Sequence, residues 1–145
     1  MKEIAATWTI RPPEANDGAA IAYLFNQLGY AAESGDMTAR LLAPDPASAV
    51  LLASQADKVV GVLVWHRLAP LHVAPAWGLI SALVVDEGAR GAGIGAALLK
   101  GAEQMARAAG CAQLELSSSL KREAAHRFYL AQGYQERPKR FIKLL

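Results

Sequence analysis

The chain has 145 residues, of which 53% are hydrophobic and 19% charged, and a formal net charge of +2. That length suits one domain, spanning residues 1–145, that buries a continuous core without disulfides or a structural metal. So weak a positive balance lacks the basic stripe of a nucleic-acid binder yet accommodates a small anionic ligand.

Cys111 is the only cysteine, which excludes an intrachain disulfide and a multi-cysteine metal site and fits a reducing compartment. The N-terminal "MKEIAATWTIRPPEA" has no uninterrupted apolar core and no small-residue cleavage site, and no apolar run reaches transmembrane length. The expectation is a cytoplasmic protein with no membrane partner.

In chain order, Thr7 to Arg11 alternates polar with apolar before Pro12 and Pro13, as a short strand does. Asn16 or Asp17 can cap a helix that carries Ile21, Leu24, Phe25 and Leu28 on one face and closes at Gly29. A second short helix is expected from Ser34, ended by Pro44 and Pro46. Ala49 to Ser54 and Lys58 to Leu68 read as a β-hairpin, and Trp77 to Val85 as a further apolar strand.

After a glycine-dense turn, Ile94, Leu98 and Met105 mark a helix that ends at Gly110, a residue suited to a left-handed cap. "CAQLELS" is the next strand, "REAAHRFYLAQGY" the next helix, and "RFIKLL", with apolar Phe141, Ile142 and Leu144, a final strand with outward charges. The order β, α, α, β, β, β, α, β, α, β contains no repeat or linker and implies one α/β domain with an antiparallel meander at its middle.

The turn between Val85 and the long helix is the most informative stretch. A helix N-terminus presents unpaired N–H groups and a positive dipole end, so it holds an anion without a charged side chain. Gly91, Gly93 and Gly95 lack the Cβ atoms that would keep a phosphate from the main chain, and Arg90 can add a charge-assisted contact. A P-loop is excluded because Gly95 is followed by Ala96 and Ala97 rather than Lys and Ser or Thr. A dinucleotide fingerprint is excluded because the glycines of "GAGIGA" alternate.

The spacing present is Arg-x-x-Gly-x-Gly over Arg90, Gly91, Ala92, Gly93, Ile94 and Gly95, directly after a strand. It resembles the acetyl-CoA motif of the GNAT superfamily of N-acetyltransferases, and "AAHRFYLAQGY" resembles that family's second signature, Phe-Tyr followed by Gly-aromatic. The element order resembles the family across the whole chain. The resemblance implies a single-domain α/β GNAT fold, a mixed, mostly antiparallel sheet flanked by about four helices. It further implies that the turn grips the coenzyme pyrophosphate, that Leu83, Val84 and Val85 offer backbone groups to the pantetheine arm, and that Tyr129 is the general acid for the departing thiolate. Without the signature, Phe128, Tyr129 and Leu130 would read as core residues of an amphipathic helix.

The chain departs from the family pattern twice. Arg122 stands where relatives often have a coenzyme-contacting asparagine, so neither it nor Ser119 is assigned, and Ser117 to Ser119 read as a helix cap. Ser81 stands where many relatives have a glutamate base, and a hydroxyl can order water but cannot be the terminal proton acceptor. His66, His72, His126 and Glu33 read as structural or solvated side chains rather than catalytic ones.

Trp65 and Trp77 are assigned to the core, and the resemblance implies that the segment carrying Tyr30, Glu33 and Asp36 forms one wall of an acceptor site. The implied activity is direct acetyl transfer from acetyl-CoA to a primary amine of a small molecule or peptide. No metal, no nucleic-acid partner and no Cys111 intermediate is expected, and a homodimer is allowed. The alternative is a non-catalytic acyl-CoA-binding or sensing domain of the same fold, motivated by Ser81 and opposed by Tyr129.

Overall fold

A computed structural model describes residues 7–118, 123–137 and 140–145. Strand β1 (Thr9–Arg11) leads through a short 3-10 turn at Ala15–Asp17 into α1 (Gly18–Leu28) and then α2 (Ser34–Leu42). Strands β2 (Ser48–Gln55), β3 (Lys58–Leu68) and β4 (Ala76–Val85) follow, then α3 (Ile94–Ala108), β5 (Cys111–Leu116) and α4 (Glu123–Ala131). The strands lie in the order β1-β2-β3-β4-β5; every neighbouring pair is antiparallel except β4 and β5, which are parallel.

The near-continuous apolar runs of β2 and β3 are explained by burial on both faces of the sheet. Leu51, Ala53, Leu63, Trp65 and Ile80 face α3, where Ile94, Leu98, Leu99 and Ala102 complete one core. Leu52, Val59, Val62 and Val84 face the other way, onto Ile21 and Leu24 of α1, with Met37 and Leu41 of α2 at the margin. Each apolar neighbour pair, such as Leu51 with Leu52 or Val62 with Leu63, therefore supplies one side chain to each core. Phe128, Tyr129 and Tyr134 dock α4 and the following turn onto the α3 side.

Gly29 closes α1 at φ +107°, with Gly29 N–H on the Asn26 carbonyl and Tyr30 N–H on that of Phe25. Gly110 closes α3 in the same left-handed region at φ +82°. Asp17 is the N-cap residue of α1, but its side chain makes no capping bond to that helix. Its carboxylate accepts the Glu14 N–H at 2.6 Å, heading the 3-10 turn rather than α1, and takes both arms of the Arg11 guanidinium at 2.8 and 2.9 Å.

Arg11 hydrogen bonding holds the buried Asp17 carboxyl below the usual carboxylate range, against the opposing effect of desolvation. A depressed carboxyl pKa contributes stability that is present above the unfolded value of ~3.9 and is lost as pH falls through the folded value. Asp17→Asn should therefore lower unfolding free energy by about 1–3 kcal/mol at neutral pH. Urea titrations should show that deficit shrinking below about pH 4, where the parent carboxylate also loses its charge.

The segment 140–145 forms no strand, contrary to its sequence pattern. Phe141, Ile142, Leu144 and Leu145 are exposed. Alternation yields a strand only where a neighbour supplies the ladder, and among the described residues none pairs with this segment. Among them also no helix is long and apolar enough to cross a membrane.

Candidate active site

Strands β4 and β5 are paired only from Ala76 with Cys111 to Ile80 with Leu116. Beyond that point β4 continues to Val85, whereas β5 ends at Leu116. From Ala82 to Val85 β4 is paired with β3 on one side, and on the other side it has no strand partner among the described residues. Along that edge the Val85 carbonyl accepts from Arg90, and no ladder bond to a strand is made among the described residues.

A cleft of about 330 Å³ occupies the fork. Ile80, Ser81, Ala82 and Leu83 form one wall and Leu116, Ser117 and Ser118 another; Ala125 and Tyr129 come from α4, Leu28 and Tyr30 from the end of α1, and Arg140 from the C-terminal segment.

The glycine turn lies at the far end of β4. Gly91 and Gly93 have φ of +87° and +82°, the left-handed region that L side chains avoid, so glycine at these two positions is a backbone requirement. Gly93 caps α3, whose first intrahelical bond runs from Ala97 N–H to the Gly93 carbonyl at 3.1 Å. The amides ahead of Ala97 thus have no intrahelical acceptor.

Gly95 serves a different purpose. A Cβ there would come within 3.2 Å of the Phe128 ring, so its bareness lets α4 approach α3 and seats Tyr129. Arg90 is exposed and its Nε–H donates to the Val85 carbonyl at 3.2 Å, while the Trp8 indole N–H donates to the Ala92 carbonyl at 3.3 Å. Ile94 and Val84 are buried, and Leu83 and Val85 half-buried.

Tyr129 meets Phe128 edge-on at 5.4 Å and Tyr134 edge-on at 6.1 Å between ring centroids. The Tyr134 hydroxyl donates to Glu103 at 3.0 Å. Burial first, and the Glu103 carboxylate second, push the Tyr134 phenol far above its ordinary range, so it stays protonated. Tyr129 lines the cleft from α4. On the opposite side Asp86 ties β4 to α1. Its carboxylate accepts from Gln27 at 2.8 Å and lies 3.5 Å from Lys58 Nζ; the first contact, then the second, hold it below the usual carboxylate range despite desolvation.

The structure also joins residues that the sequence kept apart. His66 Nε2 lies 2.7 Å from Ser81 Oγ, and His66 Nδ1 lies 2.7 Å from Ser48 Oγ. Ser48 is the direct cross-strand neighbour of His66, and Ser81 is the extra residue in a β4 bulge, between the pairs Trp65 with Ile80 and Val64 with Ala82. Such bulges re-aim side chains.

Among the cleft-lining residues neither Glu33, His72 nor His126 appears; Glu33 precedes α2, His72 is exposed in the loop after β3, and His126 is half-buried on α4. Arg122 and Ser119 lie outside the described residues. Cys111 is buried and Trp65 is in the core. Among the described residues no group of three or more His, Cys, Asp or Glu is placed to hold a metal ion.

Comparison with known proteins agrees with this architecture. Residues 8–134 match the model of the Acetyltransferase (GNAT) family. The chain belongs to that family. This GNAT protein is 43% identical over 122 residues to a curated relative from Salmonella typhimurium, the aminoalkylphosphonate N-acetyltransferase, with 84% of this chain and 78% of the relative covered.

Among solved structures it resembles the aminoglycoside N-acetyltransferase AAC(6')-Iy in complex with CoA, with TM-score 0.87, 13% identity, and 100% and 99% of the two chains covered. It also resembles a transcriptional regulator from Bacillus halodurans, with TM-score 0.84, 21% identity, and 96% and 100% covered. At such identities these two likenesses establish the fold, a five-stranded mixed sheet with four helices. Family and curated relative together make this GNAT protein an acyltransferase, so the sensing-domain alternative is set aside.

Proposed function

We propose that this GNAT protein transfers the acetyl group of acetyl-CoA directly to the primary amine of a small molecule that also bears an anionic group, with an aminoalkylphosphonate as the leading candidate. The observation that carries this reading is the fork between β4 and β5, which puts a phenol, an open strand edge and a guanidinium on one cleft. The 43% identical relative supports the phosphonate.

In this reading the backbone of Leu83, Val84 and Val85 pairs with the pantetheine arm as an added strand would. Gly91, Ala92, Gly93, Ile94 and Gly95 direct amides and the α3 dipole at the pyrophosphate, with Arg90 released from the Val85 carbonyl to join them. Tyr129 gives its proton to the departing sulfur. The Arg140 guanidinium, on the same cleft, presents a planar donor fork suited to a phosphonate.

Thiol release from acetyl-CoA should be measured with 2-aminoethylphosphonate, ethylamine and a short peptide with a free amino terminus. A charge-assisted pair favours the phosphonate by about 1.5–3 kcal/mol, so kcat/KM should be roughly tenfold to a hundredfold higher than for ethylamine. Arg140→Ala should erase most of that margin. Equal use of the two amines by the parent would remove the phosphonate from the reading, and the absence of amine-dependent release from every acceptor would remove the transfer.

A further inference from the structure

Resting on the acetyl-transfer reading above, we propose that His66 takes up the amine's proton through the Ser81 hydroxyl, with Ser48 anchoring the imidazole through its other ring nitrogen.

The need is chemical. An alkylamine of reference pKa ~10.4 is unprotonated only about once in a few thousand molecules at neutral pH, so its proton must leave to an acceptor. Ser81 stands on the cleft wall shared with Tyr129, but a hydroxyl can only pass a proton on. Behind it, 2.7 Å away, stands His66 Nε2. Histidine is the side-chain type that exchanges a proton near neutral pH.

The partner of the other ring nitrogen suits this direction of travel, because a hydroxyl can accept as well as donate. Nδ1 lies 2.7 Å from Ser48 Oγ. With Nδ1–H donating to Ser48, Nε2 carries the lone pair and accepts from the Ser81 O–H. The resulting imidazolium keeps both hydrogen bonds, now donating in both directions. Ser48 from β2 and Ser81 from β4 are the ring's hydrogen-bond partners, and among the described residues the ionisable side chains on the cleft wall are Tyr30, Tyr129 and Arg140.

A purely structural histidine could also bridge three strands. Here, however, one end of the bridge is the bulge residue of β4, exposed to the cleft, and His66 sits half-buried behind it. The bulge serine of β4 thus becomes the outer member of a two-residue acceptor.

The step balances as follows. The substrate ammonium gives one N–H proton to Ser81 Oγ, directly or through a water, as the Ser81 proton passes to His66 Nε2. The freed nitrogen lone pair forms the new N–C bond at the thioester carbonyl. The C–S bond breaks, and the sulfur takes the Tyr129 proton. The second amine proton restores the phenol, and His66 returns the first to solvent. His66 never touches the substrate and is a positioning residue by that measure, acting through Ser81.

The test uses the full-length protein with acetyl-CoA saturating and 2-aminoethylphosphonate varied, from about pH 6 to about pH 9. His66→Gln keeps a hydrogen-bonding side chain that cannot take a proton, and Ser81→Ala removes the conduit at an exposed site. Each should lower kcat about a hundredfold at neutral pH, with amine KM and coenzyme affinity held within about twofold. The double variant should lose little more than either alone, because both remove one path. The rise of kcat with pH should shift to the alkaline side.

A His66→Gln protein with kcat within about threefold of the parent and the same pH profile would overturn the relay while leaving the transferase reading intact. Should His66→Gln fail to fold, full activity of Ser81→Ala would overturn it equally. A parent that shows no amine-dependent thiol release overturns the underlying reading instead.

Discussion

Tyr129→Phe is expected to reduce kcat for amine acetylation by roughly a hundredfold to ten-thousandfold, the range spanned by loss of a positioned general acid. Coenzyme affinity should scarcely change. The variant retains the ring, which meets Phe128 and Tyr134 edge-on and packs against the α3-side core, so removal of one oxygen leaves that packing in place. Tyr134 cannot substitute, because its hydroxyl is already committed to Glu103 and burial holds its proton tightly.

A phenol is intrinsically a weaker acid than a thiol, ~10 against ~8.5, so the proton moves usefully only as charge builds on sulfur in the transition state. The defect should therefore be smaller with acyl donors whose thiol departs more readily. A Tyr129→Phe enzyme with parental kcat on acetyl-CoA would show that the thiolate leaves unaided and that the phenol has another role.

The elements of the fold were legible because their signals are local. The paired prolines after β1, the left-handed glycines at 29 and 110, and the doubly buried apolar runs of β2 and β3 each report a backbone or burial demand at the residues themselves. The glycine turn was legible for the same reason, since two of its glycines answer a positive φ.

What the sequence did not disclose depends on register. From the two-residue turn at Ala56 and Asp57, unbroken pairing would set His66 opposite Ala47; the bulge near Ala53 and Ser54 moves it opposite Ser48 instead. A second bulge then aims Ser81 at the same ring. Each slip of one residue exchanges the faces of a strand, and nothing local in "KVVGVLVWHRL" announces either. The final segment failed in the opposite way. Its alternation is local and real, but a strand also needs a partner, which is a property of the whole sheet. Arg140 was read as an outward charge on that strand and instead lines the cleft.

Gly93→Val is expected to weaken coenzyme binding roughly tenfold to a hundredfold or more, as measured by calorimetric titration, with a modest fall in melting temperature. At φ +82° a non-glycine residue costs about 1–3 kcal/mol, and β-branching puts valine at the upper end. The cost is conformational rather than steric within the fold, since a Cβ at Gly93 would meet nothing within 4 Å.

The turn can relieve it only by rotating the peptide groups at the head of α3, which are the ones proposed to face the pyrophosphate. Gly93→Asn separates the two contributions. Asparagine tolerates the left-handed region, so it should recover most of the stability, while its side chain still projects into the open space ahead of the helix and keeps part of the binding defect. Gly95→Ala should behave differently again, because its methyl group presses on Phe128 and disturbs the seat of Tyr129, lowering kcat more than affinity. If Gly93→Val binds coenzyme as tightly as the parent, the amides of this turn are not its pyrophosphate ligands.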